Sequence, residues 1–139
     1  MTSEQKRLVR ESFQSISDSL GPISLLFYAR LFEQDPSLRP MFVQDIAIQG
    51  RKLMSTLTTV VQNLDDLDQL SPALRALGQR HAGYGVRSDH YKLVKGALLW
   101  TLGQVLDTDF YPEMKAAWSE VIDTISLAMQ SGAAELPDG

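Results

Sequence analysis

The chain has 139 residues with a formal net charge of −4 and no cysteine. This length suits one domain with one core, and the missing cysteine excludes disulfides, thiolate metal sites and cysteine nucleophiles. The acidic balance predicts no nucleic-acid partner. A polar start and the lack of any long uncharged apolar run predict a soluble, cytoplasmic protein with no membrane partner.

Apolar residues recur at helical spacing throughout, and no period-two alternation persists, so the predicted fold class is all-α. Six substantial helices are expected to begin near Thr2 or Ser3, Ile23, Ile46, Ser71, Ser88 or Asp89, and Phe110. The first should end at Gly21-Pro22, and the acidic residues 65–70 should form a loop. Ser71-Pro72 offers a cap and a first turn for the fourth helix. Residues 132–139 are predicted to be a frayed tail.

Two polar residues interrupt apolar helix faces. Tyr28 lies in a helix that is apolar nearly all round, and its buried hydroxyl needs a hydrogen-bond partner. Gln49 lies on an apolar stripe and must either reach the core's edge or face a partner. The adjacent Gly50 costs a helix about 1 kcal/mol relative to alanine, which indicates close approach of another helix. Ser24 is a small residue suited to that contact.

His81 shares a helix face with Leu74 and Leu77. Gly83 and Gly85 follow and can form the left-handed turn that ends the helix. The residues alone leave two interpretations open, a hydrogen-bonded core histidine or a ligand that faces a pocket on another segment. The chain has only one other histidine, so a zinc site is not expected.

Several segments together carry a family resemblance. They are FYARLF with Tyr28, a proline-bearing turn that leads to Phe42, IQGRKLM with Gln49 and Leu53, GQRHAGYGV with His81, SDHYKLV with Tyr91, and AAW with Trp118. In this order and spacing the sequence resembles globins, in particular single-domain bacterial haemoglobins and the haem domain of flavohaemoglobins. The resemblance implies a globin domain over residues 1–131. Its fold would be a three-over-three helical sandwich around haem b, iron protoporphyrin IX.

The resemblance also implies roles for individual residues. His81 would bind the haem iron from the proximal side, and Phe42 would wedge against the porphyrin. Tyr28, Gln49 and Leu53 would line the distal side, where a diatomic ligand binds. Hydrogen bonds from the Tyr28 hydroxyl and the Gln49 amide would slow the release of oxygen.

Four further residues would border the cofactor. Leu77 and Tyr91 would lie on the proximal side, and Arg51 and Lys52 either near the haem carboxylates or in water. In flavohaemoglobins a tyrosine at the position of Tyr91 bonds with a glutamate from the last helix. Here the aligned residue is Ala133, so a less polarised histidine ligand is expected.

Three functions remain open at this point. The first is reversible binding of O2, NO, CO or another small haem ligand. The second is nitric oxide dioxygenase activity, which would require a separate reductase as partner. The third is a gas or redox sensor, or a haem-free signalling module of the same fold. The expected oligomeric state is a monomer or a weak homodimer.

Overall fold

The computed structural model describes residues 1–136, and every regular element in that range is a helix. The α-helices are α1 (Ser3–Ile16), α2 (Leu20–Gln34), α3 (Ile46–Gln62), α4 (Leu67–Gly83), α5 (Ser88–Leu106) and α6 (Pro112–Ala134). Short 3₁₀ turns lie in the connections, the longest over Pro36–Met41. The prediction of an all-α fold with six substantial helices is confirmed. Within the described residues, none of the helices combines the length and apolar composition that a membrane crossing requires.

The start of α1 follows the prediction and its end does not. Thr2 caps the helix, because its hydroxyl accepts from the Gln5 N–H at 3.0 Å while the Gln5 side chain accepts from the Thr2 N–H. The predicted end at Gly21-Pro22 is wrong, since α1 ends at Ile16 and α2 begins at Leu20. Proline suits the first turn of α2, where its missing N–H needs no partner.

The predicted acidic loop over residues 65–70 is also wrong. A short turn ends at Asp66 and α4 begins directly afterwards at Leu67, so Ser71-Pro72 lies inside α4 and does not start it. The helix includes residues 67–70 because Leu67 and Leu70 pack against the larger cluster of buried side chains. Pro72 has no N–H to donate to the Asp68 carbonyl, four residues earlier. Asp68 is exposed, so that carbonyl is within reach of water.

The predicted start of α5 near Ser88 or Asp89 is confirmed, since α5 begins at Ser88. Neither of those residues is its cap, because the preceding Arg87 occupies the cap position and its N–H donates to Nδ1 of the buried His90 at 2.9 Å. The predicted frayed tail is wrong for residues 132–134, which continue α6. Residues 137–139 of that tail lie outside the described residues.

The buried side chains form two adjoining clusters. The larger one joins α1, α2, α3, α5 and α6, and its most enclosed members are Val9, Val60, Ala117, Trp118 and Val121. The smaller one joins α2, α5, α6 and the turn before α3, and it consists of Phe27, Tyr28, Leu31, Leu38, Ala97, Leu98 and Ile122. Leu53 of α3 is half-buried and packs against both clusters. Of the residues predicted for the distal side, Tyr28 belongs to the smaller cluster and Leu53 contacts both.

Candidate functional site

Tyr28 is buried within a group of aromatic rings. Its ring centroid lies 4.8 Å from that of Phe27 and 5.5 Å from that of Phe42, both in edge-on geometry. The hydroxyl has one hydrogen-bond contact in the described residues, 3.5 Å to the main-chain oxygen of Gln49. That length is at the outer limit of a hydrogen bond. Tyr28 is only 4% exposed. Its hydroxyl is therefore a buried hydrogen-bond donor whose one acceptor in the described residues is distant.

The protonation state of Tyr28 follows from its surroundings. Burial raises the pKa of the hydroxyl to about 12, and this outweighs the opposing influence of the Gln49 side chain. The phenol therefore keeps its proton at neutral pH. In that form it can donate a hydrogen bond.

The spacing between α2 and α3 places Gln49 beside Tyr28. A Cβ atom on Gly50 would overlap the Ser24 hydroxyl and lie 3.0 Å from the Ser24 Cβ atom. The predicted close approach of Ser24 to Gly50 is confirmed. Gln49 precedes Gly50 on α3, Leu53 follows it, and both are half-buried. Local backbone contact thus brings the predicted distal residues together.

His81 lies in the last turn of α4 with its ring held by the backbone. Its Nδ1 atom is 2.9 Å from the Leu77 carbonyl oxygen. A carbonyl can only accept, so Nδ1 carries the proton and Nε2 keeps its lone pair. Burial lowers the pKa of His81, the Leu77 carbonyl opposes that effect, and the charge of Arg80 adds to it. The result is a neutral imidazole with a free Nε2.

The chain reverses direction just after His81. Gly85 has φ of +91°, its N–H donates to the Ala82 carbonyl, and the Val86 N–H donates to the His81 carbonyl. These bonds are those of a Schellman motif, so the prediction of a left-handed turn is confirmed at Gly85. A Cβ atom there would lie 3.9 Å from the Met41 side chain. The turn after His81 therefore lies against the segment that leads to Phe42.

The other predicted residues lie farther out. Arg51 and Lys52 are exposed, and the Lys52 ammonium donates to the Gln44 side chain at 2.7 Å. Leu77 is half-buried. Tyr91 is half-buried too, and burial raises the pKa of its hydroxyl. Ala133 offers that hydroxyl no side-chain acceptor.

The donor set fits a haem iron. A neutral histidine whose Nδ1–H is fixed by a carbonyl is the usual proximal ligand, with Nε2 free for the metal. On α2 a buried, protonated phenol with a weakly used hydrogen supplies a donor for a small ligand. Fold and site thus define a class: an all-helical protein equipped for haem and small-ligand chemistry.

Comparison with known proteins supports this class. The globin family model matches residues 25–129. Anaerobic nitrite reductase NSHB5 of Oryza sativa subsp. indica is 31% identical over 132 residues, which is 91% of each chain. Neuroglobin of Danio rerio is 27% identical over 146 residues, with 95% of this chain and 92% of that protein covered.

A solved structure agrees with the sequence comparison. It is an engineered carbene transferase, a candidate nitric oxide dioxygenase from Rhodothermus marinus, with a TM-score of 0.87 and 28% identity. The match covers 97% of this chain and 94% of that one. The chain belongs to the globin family, whose members bind small ligands at haem.

The sequence analysis did not identify two glycines at the contact between α6 and α4, the helix that carries His81. Gly78 and Gly132 are buried where α4 crosses α6. A glycine inside a helix is unfavourable, so each one carried the same signal that identified Gly50. That signal shows that something lies close to the glycine, but it does not name the partner.

Proposed function

We propose that this globin holds haem b through Nε2 of His81 and binds oxygen reversibly beside Tyr28. When bound, the haem would supply an iron centre that takes a diatomic ligand. One observation carries the proposal: the Tyr28 hydroxyl is buried and has only a 3.5 Å contact in the described residues. Such a donor is available to a ligand.

The neighbouring side chains have distinct parts in this proposal. Tyr28 donates a hydrogen bond to the ligand, and the Gln49 amide adds a second donor from α3. Leu53 and Phe42 keep water from the same space, which strengthens those hydrogen bonds. Because the donors stabilise the bound ligand, oxygen is released slowly.

The proximal side has a positioning part. The Leu77 carbonyl holds the His81 ring at one orientation through a 2.9 Å hydrogen bond. Tyr91 contributes an apolar ring to this side, without the glutamate that would polarise it. Arg51 and Lys52 are exposed in the first half of α3, where they are suited to the haem carboxylates.

Absorption spectroscopy tests the proposal. The reduced protein should show a haem Soret band that shifts on addition of CO, and His81→Ala should lose the pigment or change its spectrum. The matched control is His90→Gln, because glutamine keeps an acceptor for the cap of α5. The proposal fails if His81→Ala retains haem with an unaltered spectrum.

Nitric oxide dioxygenase activity is a second candidate. The similar structure from Rhodothermus marinus supports it, together with the hydrogen-bond donor at Tyr28. Nitric oxide and oxygen would be converted to nitrate with one electron from a separate reductase. The test is the amount of nitrate formed per nitric oxide consumed, measured with a reductase and NADH. A separate assay, the loss of nitrite in the absence of oxygen, tests for the activity named in the rice relative.

A further inference from the structure

Helices α4 and α6 cross with their backbones in contact. A Cβ atom on Gly78 would overlap the Met129 carbonyl and lie 2.6 Å from the Met129 Cα atom. A Cβ atom on Gly132 would overlap the Arg75 carbonyl and lie 2.6 Å from the Arg75 Cα atom. Gly78 thus faces the backbone of α6 at Met129, about one turn before Gly132. Gly132 in turn faces the backbone of α4 at Arg75, about one turn before Gly78. No flexible side chain stands at either contact to move aside.

Polar contacts hold the same crossing together. The Gln79 amide donates to the Gly132 carbonyl at 3.3 Å and lies near the carboxylate of Glu135. Arg75 forms an ion pair with Glu135. The separation of the two helices is therefore set by main-chain contact, and these polar contacts secure it.

We propose that Gly78 and Gly132 are positioning residues for His81. His81 lies on α4 one helical turn after Gly78, so a displacement of α4 at the crossing moves the imidazole with it. Any side chain larger than hydrogen at either glycine must push α4 from α6, since the opposing atoms belong to the backbone. The inference rests on the proposed ligand role of His81, and it assigns α6 the task of setting the position of that ligand.

Gly78→Ala in the haem-loaded protein tests the inference. The iron–histidine stretching band in the Raman spectrum of the reduced protein should shift, and haem transfer to excess apomyoglobin should accelerate at least about tenfold, the rate equivalent of about 1.4 kcal/mol. Gly83→Ala is the matched control. It lies on the same helix with nothing within 4 Å of the added atom, so both readouts should stay unchanged.

A second pair of variants separates positioning from loss of stability. Val9→Ala truncates a fully buried side chain on α1 and should lower the free energy of unfolding without moving the Raman band. If Gly78→Ala does not fold, Gln79→Glu decides, because it places a carboxylate against the Gly132 carbonyl and Glu135. It should shift the band in the same sense but less, with the exposed Gln69→Glu on the same helix as control.

The inference is overturned if Gly78→Ala, or Gln79→Glu in its place, leaves the Raman band and the haem-loss rate unchanged. Failure of the underlying function has a different signature. In that case His81→Ala retains the wild-type pigment, whatever the glycine variants do.

Discussion

At the scale of single residues, one hydroxyl group carries the proposed ligand chemistry. Tyr28 is buried, and its hydroxyl makes a single long contact in the described residues. Phe27 and Phe42 pack against its ring, which leaves little room for the side chain to turn away. Burial makes the hydrogen bond strong when a charged or dipolar acceptor arrives, because water does not compete.

Tyr28→Phe is expected to speed oxygen release. The substitution removes one donor to a ligand that gains negative charge on binding, which costs about 1.5 to 3 kcal/mol. If the loss appears entirely in dissociation, the rate rises about ten- to a hundredfold. Stopped-flow displacement of oxygen by CO measures it. Tyr111→Phe, at an exposed tyrosine, should release oxygen at the wild-type rate, and a similar rate in Tyr28→Phe would remove the assigned role.

The raised pKa of Tyr28 predicts an alkaline loss of stability. The folded protein holds the phenol proton to about pH 12, whereas the unfolded chain loses it near the ordinary value of 10.0. Between these values unfolding releases a proton, so the free energy of unfolding falls as the pH rises. Denaturant titrations at pH values on either side of 10.0 measure the slope.

Phenolate absorbance should also show Tyr28 among the last tyrosines to ionise. Tyr28→Phe should remove the latest phase and reduce the alkaline slope. A smaller delayed phase should remain, because burial also raises the pKa of Tyr91. An unchanged titration curve in Tyr28→Phe would contradict the assignment.

At the scale of elements, local patterns predicted faces better than boundaries. Tyr28 and Gln49 were identified because polar groups on apolar stripes need partners, and Gly50 because glycine weakens a helix. The prediction from Ser71-Pro72 is wrong because a serine–proline pair resembles a helix start, whereas Leu67 packs against a cluster most of whose members lie far away in sequence. Contacts between residues distant in sequence therefore determine where α4 begins, and the local sequence does not predict them.

The contact between α2 and α3 yields a prediction about packing. Gly50→Ala should lower the free energy of unfolding by about 1 to 3 kcal/mol, because the new methyl group meets Ser24. Ser24 cannot easily turn away, since its hydroxyl donates to the Gly21 carbonyl at 2.8 Å. Thermal or denaturant unfolding measures the change.

A double-mutant cycle gives this prediction its control. Ser24→Gly removes the opposing side chain, so the pair of substitutions should cost less than the sum of the two single ones. Gly21→Ala adds a methyl group to α2 with nothing within 4 Å and should not be destabilising through contact. Strict additivity of Gly50→Ala and Ser24→Gly would show that the two helices do not meet there.

At the scale of the whole molecule, the two ends of the chain share one core. Trp118 of α6 is 1% exposed, and its indole N–H donates to the Ser12 hydroxyl of α1 at 2.9 Å, across 106 residues of sequence. Ser12 in turn donates to the Leu8 carbonyl at 2.8 Å. The segment AAW includes Trp118 in the family resemblance, but the sequence could not show that a serine from the first helix would be its partner. This hydrogen bond forms only when α1 and α6 pack together in the folded protein.

Ser12→Ala tests how far this link stabilises the fold. The substitution leaves the indole N–H buried without an acceptor, which costs about 1 to 3 kcal/mol. The denaturation midpoint should fall while the m-value stays constant, because the surface exposed on unfolding hardly changes. Ser15→Ala is the control on the same helix, since the Ser15 side chain only donates back to the Ser12 carbonyl. Equal stability of the two variants would mean that packing alone, without the hydrogen bond, joins α1 to α6.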